Sequence, residues 1–167
     1  MRGAAVIDRM LAVAGRISDR LALAGGVLLL GLAGLVTASV AARWLTSRGI
    51  PGDFDLMQIG LALAVFAFMP LCQLRGGNLF VDTFTTKLPA SAQRALDALW
   101  SVVYALVAGL IAVMMAVGAI QTIASGTRSM VLGLPIGWAI GIAAILAGWL
   151  TLVVLLTALR SSRRPET

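Results

Sequence analysis

A chain of 167 residues that is 60% hydrophobic and 12% charged is too apolar for a soluble globular domain. Its formal net charge of +6 does not point to nucleic acid, because the cations flank apolar runs, where they orient a membrane protein. With one cysteine and no histidine, it lacks the groups for an internal disulfide, His-ligated haem, a His-rich metal site or Ser–His catalysis.

Four runs free of charged residues set the architecture. They cover residues 21–42, 56–74, 98–127 and 129–159, which is 22, 19, 30 and 31 residues. Each reaches the roughly 20 residues needed to cross about 30 Å of hydrocarbon. Helices are expected, since backbone groups in lipid must bond within their own segment, and the alternating segments of a barrel are absent. The fold class is an all-α integral membrane protein in a single domain over 1–167. It has four transmembrane helices, an N-terminal amphipathic helix and a cytoplasmic interfacial arm between helices two and three.

Residues 3–20 repeat Val6, Ile7, Met10, Leu11, Ala14 and Ile17 at helical spacing, with Arg9, Arg16 and Arg20 on another face. That pattern fits a basic amphipathic helix on the inner membrane surface or against a partner. Its charges interrupt any signal-peptide core, so the first span, 21–43, is expected to act as an uncleaved insertion signal. Within it, Gly34 and Ala38 are four apart and allow close approach of a neighbouring helix, from this chain or another subunit. Arg43-Trp44 closes the span at the interface.

The next loop turns through Gly49, Pro51 and Gly52. Asp53 and Asp55 flank the start of the second span, 55–75, where carboxylates suit a helix N-terminus. They are candidates for capping it or, with Arg43 and Arg128 on the same face, for docking an external protein. Pro70 predicts a bend near the far end of this span, and Cys72 reads as a small packing residue.

The long polar interruption over 75–89, RGGNLFVDTFTTKLP, joins the two helix pairs. Arg75, Gly76, Gly77, Asn78, Asp82 and Pro89 are expected to shape this joint. The glycines supply unusual backbone angles, Asp82 caps a short helix over 79–88, and Pro89 opens the next span. Phe80, Phe84 and Leu88 make one apolar stripe suited to the bilayer surface.

The third and fourth spans, 91–122 and 136–159, exceed the minimum length, so tilt or extension is expected. The row Ala108, Ala112, Ala116 and the stripe Gly137, Gly141, Ala144, Gly148 supply small-residue packing faces. Trp100 and Trp138 fit interfacial belts, whereas Trp149, near mid-span, reads as facing lipid or another subunit. Residues 160–167 form a tail.

Of the thirteen Lys and Arg residues, ten lie before the first span, in the joint with the adjoining Arg94, and in the tail. That bias assigns both termini and the joint to the cytoplasm. No Asp, Glu, Lys or Arg falls within the four apolar cores, where proton relays, substrate salt bridges and voltage sensors keep such groups. No catalytic residue, metal or cofactor is expected. A scaffold subunit fits better than a membrane enzyme or a self-sufficient ion-coupled carrier.

Over roughly residues 38–138 the sequence resembles the small membrane subunit (Q-type, DctQ-like) of tripartite ATP-independent periplasmic (TRAP) transporters. The resemblance rests on Arg43-Trp44, on Ile50-Pro51-Gly52 with an acidic residue before helix two, and on Phe66 and Phe68 within that helix. Most specific is the run from Arg75 to Asp82 followed by Leu88-Pro89, with Leu134-Pro135 ahead of Trp138 leading into the last helix. Asn78 stands where the family often has histidine, and Asp55 where it often has glutamate. The resemblance implies a bacterial inner-membrane protein that braces a large membrane subunit, which carries the substrate and sodium sites and moves as an elevator. It also implies a periplasmic substrate-binding protein that delivers an anionic substrate, commonly a carboxylate, with membrane lipids as further partners. The alternatives are a membrane anchor or adaptor for another inner-membrane complex and a small oligomeric exporter, which needs a mid-membrane carboxylate that the sequence lacks.

Overall fold

The computed structural model describes residues 2–76 and 90–161. Four helices follow in order: α1, Arg2–Thr46; α2, Asp53–Leu74; α3, Ala90–Ala124; and α4, Ile136–Ser161. Each is long and apolar enough to cross a membrane, and no strand occurs among the described residues. The chain is an all-helical, multi-pass membrane protein. The arm expected over 79–88 lies outside the described residues, as do Gly77, Asn78, Asp82 and Pro89 of the joint and residues 162–167 of the tail.

Residues 3–20 and 21–43, expected as two helices, form one continuous rod of 45 residues, about 68 Å long at ~1.5 Å per residue. The stretch from Arg16 to Leu23 contains neither proline nor glycine, so nothing local ends the helix. Its buried side also continues: Leu11, Ala14 and Ser18 are all buried. Leu11 and Ala14 pack on Val153 and Leu156 of α4, with Ile7, Leu74 and Trp149 closing the cluster. The apolar stripe of residues 3–20 is thus divided between α4 and an outer side that leaves Met10, Val13 and Ile17 exposed. Trp149 donates its Nε1–H to Ser18 Oγ at 3.1 Å. It therefore fills the contact between α1 and α4, where the sequence reading had it facing lipid or another subunit.

The helices touch mainly through small side chains. Ala64 and Ala67 of α2 are buried, and a methyl group on Gly25 of α1 would sit 3.2 Å from Ala67 Cβ. Between α3 and α4, Ala105 and Ala108 pack with Leu150 and Val154. Lipid tails are as apolar as leucine, so helix association in a bilayer depends on close backbone approach and the dispersion contacts that come with it. α4 contacts each of the other helices, whereas α3 packs on α4 alone among the described residues.

The small residues proposed for subunit packing separate into two groups. Gly137 is buried against Ile123 and Ala119 of α3, and Gly141 also faces Ala119. Gly34 and Gly148 have no neighbour within 4 Å of an added methyl group, and Ala38 is exposed.

At the end where α1 begins and α2 finishes (the joint end), α2 runs unbroken through a fully buried Pro70. Gln73 Nε2 donates to Thr157 Oγ1 of α4 at 3.2 Å. Arg75 Nη2 meets Asp19 Oδ1 of α1 at 3.2 Å; both side chains are exposed, so the pair contributes about 0–1 kcal/mol. Gly76 closes α2 with a φ of 67°. Cys72, read as a small packing residue, is exposed on this chain.

Candidate functional site

The densest polar structure lies at the opposite (loop) end, where the 47–52 turn, the start of α2 and the 125–135 loop meet. Ser39, fully buried in α1, donates its hydroxyl to Asp53 Oδ2 and accepts the Ile50 N–H at 3.1 Å. One hydroxyl thereby ties α1, the turn and α2 together. Arg43, one helical turn after Ser39, places Nη2 3.9 Å from Asp53 Oδ2 while staying largely exposed. Gly49 lies so close beneath its guanidinium that an added methyl group would stand 2.9 Å from Nη2.

Asp55 performs the corresponding task on the other side of α2. It is 7% exposed, and its Oδ2 accepts the Val131 and Leu132 N–H groups at 3.0 and 3.1 Å. The sequence suggested that it caps its own helix; the structure has it capping a loop 76 residues further on. That loop is itself tight. Ser129 N–H donates to Leu134 O at 2.9 Å, Leu134 N–H donates to Ser129 Oγ at 3.1 Å, and Gly133 adopts a φ of 64°. Gly52, at φ 81°, abuts the Leu132 side chain, so turn and loop interlock beside Asp55.

Of the four residues considered for external docking, Asp53 and Asp55 are thus engaged internally. Arg43 and Arg128 stay exposed at the rim, Arg128 giving one long hydrogen bond from Nη1 to Gly133 O at 3.4 Å. The same end carries exposed apolar side chains: Trp44, Leu45, Phe54 and a fully exposed Met130. At the joint end, Arg75 and Gly76 are described, and the other joint residues are not. Among the described residues no cluster of His, Cys, Asp or Glu is fit to hold a metal ion. What the loop end offers is a braced, cation-bearing surface.

Sequence reasoning missed Ser39, Ser18 and the loop amides of Val131 and Leu132. The two serines carried a usable signal, since each is a polar residue on the apolar side of a helix that must find a partner when buried.

No curated protein and no solved structure matches the chain. Residues 32–164 match the family described as tripartite ATP-independent periplasmic transporters, DctQ component. The match takes in the end of α1, all of α2, α3 and α4, and both halves of the loop-end cluster. With four membrane-spanning helices and a family match over most of its length, the chain belongs to the DctQ family, the small permease component of TRAP transporters.

Proposed function

We propose that this subunit is a non-catalytic scaffold that braces a large sodium-coupled elevator subunit and helps dock a periplasmic substrate-binding protein, for uptake of an organic acid. In this reading it resides in the inner membrane with both termini and the joint in the cytoplasm, and the loop end faces the periplasm. The observation that carries it is the family match together with apolar cores that hold no Asp, Glu, Lys or Arg. Energised transport ordinarily relies on such groups within the membrane, so the coupling machinery belongs to the partner. The outward-facing stretch of α1 bearing Gly34 and Ala38 is the proposed contact with that partner, and Gly148 marks a second open position on α4. In the joint, Arg75, Gly76, Gly77, Asn78, Asp82 and Pro89 are proposed to set the angle between the two helix pairs.

Deleting this chain is expected to abolish uptake of one acidic solute in cells that retain the large subunit and the binding protein. Sodium-driven uptake continuing unchanged without it overturns the scaffold reading. For docking, Arg43 and Arg128 are the proposed contacts, with Asp53 and Asp55 acting through the shape they give the rim. Reversing both arginines to glutamate is expected to reduce binding-protein-dependent uptake several-fold at low salt, since rim charges act mainly on encounter rate. Assembly with the large subunit should persist. Undiminished uptake in that variant removes the two arginines from the docking surface.

A further inference from the structure

Below the 125–135 loop, between α2 and α4, runs a groove of about 640 Å³ that the scaffold role does not use. Its upper rim carries Gln58 and Arg128, and its depth is lined by Phe66, Met115, Ile140 and Ala143. Asp55 also borders it, but that carboxylate is taken up by the Val131 and Leu132 amides. Asp55 keeps its charge but is buried, so the charge a ligand meets first at the rim is that of the exposed Arg128. From Gln58 to Phe66 the groove descends eight residues of helix, about 12 Å.

The geometry points to one glycerophospholipid as the occupant, with its phosphate on Arg128 and the Gln58 amide and one acyl chain laid along Phe66, Met115 and Ile140. Below its rim the groove is lined by apolar side chains, which offer water no hydrogen-bond partners. Its change from cation to hydrocarbon runs in the same sense as a lipid. An arginine fork at the level of the loops suits a phosphate oxygen pair. The exposed Gln58 amide, one turn inside α2, gains a hydrogen-bond partner in a place where hydrocarbon offers none. This inference stands whether or not the docking reading holds.

The test uses the full chain in detergent, with phosphatidylglycerol or a diacylglycerol of the same acyl chains added, read by native mass spectrometry. Wild type is expected to retain one phosphatidylglycerol and to lose the diacylglycerol. Arg128→Gln should weaken retention on the order of tenfold, the size of one charge-assisted hydrogen bond. Ala62→Phe, at an exposed position on the groove wall, should exclude the lipid with the rim intact. Circular dichroism should show unchanged helix content in both variants. Retention equal to wild type in either variant, or equal retention of the diacylglycerol, overturns the assignment. So does a cross-linker placed at Phe66 that captures a partner polypeptide in the assembled complex instead of lipid.

Discussion

Replacing Asp55 by alanine is expected to release the 125–135 loop and to destabilise the chain by about 2–4 kcal/mol, less than the roughly 3–6 kcal/mol of two full hydrogen bonds to a charged acceptor. The carboxylate is buried and accepts two backbone N–H groups of the loop. Its removal leaves both donors unpaired on the inner side of a loop whose other side meets solvent. Rehydration of those amides keeps the loss below the sum of two isolated bonds. Asp55→Asn separates the two roles this residue has been given. The amide keeps an acceptor oxygen at the same position but carries no charge, so it should recover part of the stability. If the charge served an external partner, Asn would fail in uptake as badly as Ala. Thermal unfolding in detergent and limited proteolysis of the loop read the first effect; uptake by the assembled transporter reads the second. An Asp55→Ala chain that unfolds at the wild-type temperature, with a protease-resistant loop, would show that the carboxylate does not staple the loop.

The second large effect is expected one turn earlier. Gly52 has a φ of 81°, which costs a side-chain-bearing residue about 1–2 kcal/mol. A methyl group there also overlaps the Leu132 side chain, and overpacking of this kind adds about 1–3 kcal/mol. Gly52→Ala should therefore lose roughly 2–5 kcal/mol and displace the loop that Asp55 holds. Two comparisons isolate the causes. Gly126→Ala, at φ 63° with open space around it, should show only the backbone cost. Adding Leu132→Ala to Gly52→Ala should relieve the overlap and return part of the loss. If Gly52→Ala and Gly126→Ala unfold alike, the interlock of turn and loop contributes nothing.

The four spans were legible because a bilayer imposes a length and a composition, and a charge-free run of about 20 residues satisfies both. Which side of each span faces inward was not. Gly34 and Gly137 are the same residue in similar surroundings, yet one is open and the other is pressed against Ile123. In lipid the outer face is as apolar as the inner one, so helical periodicity carries little information about direction. The charges of residues 16–20 marked a change of composition that looked like a boundary, but a helix ends only where its backbone is interrupted or recapped. The partner of Asp55 was hidden for another reason. Its position matched a sound local rule, acidic residues at helix starts, while its hydrogen bonds go to a loop that only the tertiary fold brings near. Ser18 and Trp149 are 131 positions apart and illustrate the same limit.

The unbroken α1 has a mechanical consequence. Long helices curve only gently unless proline, a glycine pair, a bulge or an inserted side chain interrupts them; between Leu11 and Arg43 α1 has no proline and stays helical through Gly25-Gly26. A tilt of about ten degrees around its midpoint swings each tip by roughly 6 Å, given ~1.5 Å of rise per residue. Moved as a rigid body, such a rod would carry a displacement of its Arg43 end, reversed in direction, to the Leu11 turn packed on Val153.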